Sequence, residues 1–171
     1  QEASDLTDLL LTENPTGSRF FTALAVGTFS STIDVDYWRF NAQAGDCVTV
    51  RLEADTNGVY PRVRLRNAAD QDLQAVDGDN AGVAQIQNYC FTSADTYYLR
   101  VWSVNSTARY RMRVDLSRGL PLELEPNDLR TTAQLLTLIS SQNGCEGRVA
   151  GTLVTADSVG DYFKLLTLNV G

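Results

Sequence analysis

Histidine is absent from the 171 residues, and lysine is nearly so: Lys164 stands alone beside thirteen arginines. Without imidazole the chain has no Ser-His nucleophilic pair, no histidine general base and no histidine ligand for zinc. No apolar run approaches the roughly 20 residues that a membrane-spanning helix requires, so membrane insertion is not expected. A formal net charge of −7 argues against a general nucleic-acid binder and fits an acidic secreted protein. The chain opens on Gln1 without a Met, which leads us to expect a processed or partial chain whose export signal is gone.

What the sequence does hold is a repeat. GTFSSTIDVDYWRFNAQAG, from Gly27 to Gly45, returns as GTLVTADSVGDYFKLLTLNVG from Gly151 to Gly171. Both run Gly-Thr, acidic turn, Asp-Tyr-aromatic, basic residue, apolar run, Gly, the pattern of two strands joined by a turn. The segments from Asp46 to Leu116 that follow the first version have no counterpart after the second.

Residues 1–19 form a lead-in broken by Pro15 and Gly17. From Phe20 the chain becomes eight short β-rich runs: FFTALAVGTF, DYWRFNAQ, DCVTVRLEA, VYPRVRLRNA, DLQAV, VAQIQNYCF, TYYLRVWSV and ARYRMRVDL. Turn residues separate them, and no helical period intervenes, so an all-β antiparallel sandwich is predicted for residues 1–116. TYYLRVWSV carries large residues on both faces and is placed at the centre of a sheet. DGDN, Asp77 to Asn80, reads as a plain hairpin turn in preference to a metal loop. Residues 117–128, ending in ELEPND, read as an acidic linker, and residues 129–171 as the opening part of a second sandwich unit. Within it, residues 129–140 suit either a short helix or a strand, and SSQNGCEG a loop. Of three cysteines, Cys47 and Cys90 lie in strand-like segments and are the preferred disulfide pair, three buried thiols being the alternative. Cys145 is left over.

The linker ELEPND, then Gly-Thr-Leu, then an acidic turn leading to Asp-Tyr-Phe, resembles the opening of the bacterial pre-peptidase C-terminal domain family. DVDYWRFNAQAGDCVTVRL, PRVRLRNAADQDL and SADTYYLRVW followed by ARYRMRV resemble the rest of it, with Asp95 where the family usually has Gly. The resemblance implies one complete and one truncated copy of a jelly-roll-like β-sandwich, a non-catalytic appendage of secreted bacterial peptidases and surface proteins. It is also similar to collagen-binding modules of secreted collagenases, which implies Ca²⁺ held by an acidic linker and turn. The positions here are Glu123, Glu125, Asn127 and Asp128 with Asp157, Ser158 and Asp161. Hard oxygen donors clustered in this way suit calcium, which takes six to eight of them in loose geometry; a merely solvated acidic linker is the alternative. In the first unit Leu11 to Thr16 are expected to occupy the linker positions, leaving Asp34 and Asp36 without enough partners for an ion.

Arg62, Arg64 and Arg66 alternate with apolar residues, as do Arg109, Arg111 and Arg113. If their strands share a sheet, the six make a basic ladder for sulfated or carboxylated glycans; otherwise they solubilise an outer face. An exposed Trp102 would support a carbohydrate or protein contact. Asn105-Ser106-Thr107 is an N-glycosylation sequon on an expected turn. No catalytic constellation is found, because the paired carboxylates sit on turns without apolar surroundings. A strand pair cannot bury Tyr162, Phe163, Leu165, Leu166 and Leu168 by itself, which makes these residues an expected assembly contact with a neighbouring chain. The sequence thus suggests a non-catalytic structural or adhesive protein at a bacterial cell surface, self-associating through residues 129–171 into a head-to-tail filament. An accessory module of a longer secreted hydrolase, binding protein or polysaccharide, is the alternative.

Overall fold

In the computed structural model, which describes residues 6–142, 144–152 and 160–165, the period-two alternation of the sequence becomes a β-sandwich. The chain divides into two units, Gln1–Gly119 and Leu120–Gly171. In the first unit the described strands are β1 (Leu6–Asp8), β2 (Thr12–Glu13), β3 (Phe20–Phe29), β4 (Val35–Ala42) and β5 (Asp46–Ala54). They continue with β6 (Pro61–Arg66), β7 (Asp72–Asp77), β8 (Val83–Cys90), β9 (Asp95–Ser103) and β10 (Ala108–Arg118). One sheet has the order β1-β4-β9-β6-β7 and the other β2-β3-β10-β5-β8. Neighbours are antiparallel except β1, which runs parallel to β4 with Leu6 opposite Tyr37. The eight runs read from the sequence are β3 to β10, and β9 does lie at the centre of its sheet. The lead-in supplies two edge strands that its sequence did not announce.

Between the sheets lie Val63 and Leu65 of β6 and Leu99 and Val101 of β9. They pack with Val48, Val50 and Leu52 of β5 and Met112 and Val114 of β10, all sealed from solvent. Each such side chain contributes about 1.5–3 kcal/mol by leaving water. A polar tie crosses the core. Trp38 Nε1 of β4 donates to the Tyr110 hydroxyl of β10 at 3.1 Å, and that hydroxyl donates to Asp36 Oδ2 at 2.6 Å. Phe29 stacks on the Tyr110 ring with centroids 4.5 Å apart. Burial, then the hydrogen bond to the Asp36 carboxylate, pushes the Tyr110 phenol far above its usual range, so it serves as a fixed donor. Gly27, the first residue of the repeat, is opposite Tyr110, and a Cβ there would overlap the tyrosine ring.

At the far end of β10, Arg118 grips Asp46 with two hydrogen bonds of 3.0 Å, and the Asp46 carboxylate is almost fully buried. This pair carries β10 through Ser117 and Arg118, into the segment read as linker. Cys47 of β5 and Cys90 of β8 are directly opposite each other and form a disulfide. Asp77 to Asn80 is not a hairpin turn, because β7 and β8 belong to different sheets. The segment is a corner between layers: Asp79 Oδ1 accepts the Ala81 and Val83 amides, and Gly78 donates to the Pro61 carbonyl at 2.7 Å.

In the second unit the described strands are β11 (Gln134–Leu135), β12 (Ile139–Ser141), β13 (Gly144–Glu146) and β14 (Phe163–Lys164). Residues 129–140 thus contribute strand, and SSQNGCEG, expected as a loop, forms the β12–β13 hairpin with Ser140 opposite Cys145. β11 runs parallel to β14, Gln134 opposite Phe163 and Leu135 opposite Lys164. The first unit has the same arrangement, with Thr7 opposite Trp38 and Asp8 opposite Arg39. The next amide repeats it too: Leu9 N donates to Arg39 O at 2.8 Å, and Leu136 N to Lys164 O at 2.9 Å.

Replacing Gly27 by Ala should push Tyr110 off Asp36 and cost about 1–3 kcal/mol of first-unit stability by overpacking, measurable by urea denaturation. The double substitution C47A/C90A should cost about 2–5 kcal/mol in the same assay, because it frees the unfolded chain from a closed loop.

Candidate metal centre

The second unit has no tyrosine where the first unit uses one. In the first unit Asp36, of Asp-Tyr-Trp, accepts the Tyr110 hydroxyl, and Tyr110 fills the space over Gly27. In the second, Asp161, of Asp-Tyr-Phe, lies instead with Glu123 and Glu125, and a Cβ on Gly151 would overlap the Glu123 carboxylate. One carboxylate oxygen from each of the three comes within 4.8 Å of the others, and all three residues are half-buried.

Local backbone bonds hold them there. Glu123 N donates to Ala150 O at 2.8 Å, and Ala150 N returns a bond to Pro121 O at 2.9 Å. Tyr162 N donates to Asn127 O at 3.0 Å, which ties the ELEPND segment to the Asp161 strand. The Asn127 side chain is wholly buried between the acids. With its amide turned to donate, the nitrogen reaches Glu125 Oε2 at 3.1 Å and Asp161 Oδ1 at 3.2 Å. In the opposite orientation its oxygen joins theirs. Asp128, also expected as a ligand, is not among the three carboxylates that converge; its Oδ1 is buried without a hydrogen bond. Burial first, then the hydrogen bond that protonated Glu123 donates to Glu125 and the charges of Asp161 and Glu125, push the Glu123 carboxyl from 4.5 up to about 8. A buried set of carboxylates needs either a shared proton or a cation. The donor set is hard oxygen throughout, which fits calcium. Asp157 and Ser158 of the expected ligand set lie outside the described residues.

Among the described residues the first unit offers no comparable group. Asp34 is occupied by the Ser30 amide and hydroxyl, at 2.6 and 2.8 Å, and Asp36 by Tyr110. Leu11 to Thr16 are also not the counterpart of the acidic linker, contrary to expectation. They follow β1, whereas residues 123–128 precede the equivalent strand β11.

The arginines do not form one ladder. Arg62, Arg64 and Arg66 lie on β6 and Arg109, Arg111 and Arg113 on β10, in different sheets whose apolar faces both turn inward. Most are paired locally: Arg64 with Asp77 at 2.7 Å, Arg66 with Asp72 at 2.8 Å, Arg111 with Glu53 at 3.3 Å and Arg113 with Asp115 at 2.9 Å. Trp102 is half-buried under guanidinium groups. Asn105 uses its side chain internally, accepting from Tyr60 N at 2.9 Å and donating to Gly58 O at 2.7 Å. Tyr162, Phe163 and Leu165 are exposed, while Leu166 and Leu168 lie outside the described residues. Cys145 is an exposed free thiol.

No family model and no curated protein matches the chain. Among solved structures it is similar to the pre-peptidase C-terminal domain of a collagenase from Bacillus anthracis, at 15% identity and a TM-score of 0.51. That match covers 67% of this chain and 98% of that one. It is also similar to PliG of Aeromonas hydrophila, a periplasmic inhibitor of g-type lysozyme, at 17% identity and a TM-score of 0.47, covering 67% of this chain and 100% of that one. The collagenase likeness supports the β-sandwich fold.

The elevated Glu123 carboxyl sets a pH signature. Without a cation the folded second unit binds a proton that the unfolded chain releases near pH 4.5, so its stability should fall as pH rises from about 4.5 to about 8. Calcium should reverse this slope. Its binding, followed calorimetrically, should tighten from pH 6 to pH 9 with release of a proton, and Asp161→Asn should abolish it.

Proposed function

We propose that the chain is a non-catalytic extracellular module whose second unit is organised by calcium and closed by a strand from a neighbouring copy. The observation that carries the calcium half is the convergence of Glu123, Glu125 and Asp161 around buried Asn127. The ion would join the linker segment to the strand after Asp161, replacing in charge what the Tyr110 hydroxyl supplies in the first unit. The resemblance of the repeat to the pre-peptidase C-terminal family supports the same reading, as one complete copy and the opening of another. The Cys47–Cys90 disulfide is consistent with an oxidising, extracellular setting.

The assembly half is supported by the neighbours of β14. In the first unit β4 has β1 on one side and β9 on the other, Trp38 standing opposite Leu99. Among the described residues β14 has β11 alone. The edge of β14 that has no partner among the described residues and the exposed Tyr162, Phe163 and Leu165 together suit strand addition. A contact of this kind is heterologous: the donor surface is not the acceptor surface, so repetition builds a filament.

Light scattering and negative-stain microscopy of the native protein test the proposal. Long particles in calcium should shorten in chelator, and Phe163→Asp should leave monomers. Monomers in both calcium and chelator would overturn assembly, and would favour an accessory module of a longer secreted hydrolase.

A further inference from the structure

The register of β4, β9 and β6 brings five arginines to one outer face: Arg39, Arg100, Arg62, Arg64 and Arg66. Four of them have acids. Arg39 pairs with Asp8, Arg62 with Asp77 at 3.2 Å, Arg64 with Asp77 and Asp72, and Arg66 with Asp70 and Asp72. Among the described residues Arg100 has no acidic partner, and its buried Nε–H finds no acceptor. Its guanidinium is held 4.5 Å from the centroid of the Trp102 ring, with that of Arg64 at 5.0 Å. Cation–π contact positions such a charge without neutralising it. Among the described residues the face therefore carries one prearranged, surplus positive charge, in a chain whose net charge is −7.

A groove runs beside it. Arg100 is directly opposite Tyr37 on β4 and two residues from Tyr98 on its own strand. Tyr37, Tyr98, Leu6, Asn67, Ala68 and Asp70 line an open groove of about 310 Å³, close to the lower end of the roughly 300–1,000 Å³ typical of small-molecule sites. Asp70 on the opposite wall is already engaged by Arg66. The two tyrosine rings and the amide of the lining, with the planar cation of Arg100 beside Tyr37 and outside that lining, suit a ring with an apolar face and a carboxylate. A dense phosphate backbone needs many free cations, whereas this face has one among the described residues.

We infer that this face binds a uronic-acid residue of an extracellular acidic polysaccharide, the sugar ring lying in the Tyr37–Tyr98 groove and its carboxylate pairing with Arg100. The reading is independent of the calcium centre, which belongs to the other unit. Arg100 was not singled out in the sequence, where the mixed faces of TYYLRVWSV hide which residues share its surface.

The test is calorimetric titration of the full chain with trigalacturonate, with neutral galactotriose and a triglutamate peptide as comparisons. Trigalacturonate should bind and galactotriose should not. Arg100→Gln should weaken binding at least tenfold, while Arg109→Gln, on the other sheet, should leave it unchanged. Should Arg100→Gln fail to fold, Arg100→Lys, which keeps the charge but loses the planar fork, is expected to weaken binding several-fold. Absence of binding, or affinity unaltered in the folded Arg100 variant, overturns the inference. Equal or tighter binding of triglutamate also overturns it, and would assign the face to acidic peptides.

Discussion

The hydrogen-bonded line from Trp38 through the Tyr110 hydroxyl to Asp36 is the constraint to which the first unit is fitted. Apolar burial supplies most of the stabilisation, yet it is indifferent to small sliding of one sheet over the other. A buried donor and acceptor are not, because each left unmatched costs about 1–3 kcal/mol. The tie therefore fixes how β10 faces β4. It also accounts for Gly27, since only a residue without a side chain leaves room for the tyrosine ring.

The second unit keeps the glycine and the aspartate but not the tyrosine. Glu123 enters over Gly151, so the tyrosine hydroxyl is exchanged for a third carboxyl beside Asp161 and Glu125. The aspartate that a neutral hydroxyl satisfies in one unit stands, in the other, in a carboxyl cluster that needs a proton or a cation. The difference in chemistry between the two halves comes down to what faces the aspartate of the Asp-Tyr-aromatic motif.

Much of the fold was legible because β-sandwich strands announce themselves by alternation and by turn residues. PRVRLR and ARYRMRV each declare their inner face in six or seven residues. What alternation cannot tell is which sheet a strand joins. This is why Asp77 to Asn80 read as a hairpin although it turns a corner between layers, and why the six arginines looked like one ladder. Edge strands such as β1 and β2 are too short to carry a pattern. At the candidate metal centre the acidic residues and Asn127 were legible from the clustering of oxygen donors and the family resemblance, whereas the burial of Asn127 between the acids was not. Arg100 was hidden for the opposite reason: its strand is rich on both sides, and only the pairing of its neighbours with acids reveals what it lacks.

The Cys47–Cys90 bond joins β5 to β8, and the chain enters the first unit at an edge strand and leaves it through β10, which is wedged between β3 and β5. A protein anchored at one end and pulled at the other would load β10 in shear along two long antiparallel ladders, the arrangement in which many hydrogen bonds must break together. Once they had broken, the disulfide would still short-circuit the 43-residue span between the cysteines. At about 3.4 Å per extended residue, that removes roughly 150 Å from the length the chain could pay out. The bond thus acts as a mechanical stop, limiting how far the module lengthens under tension and keeping β5 beside β8 when the load is released.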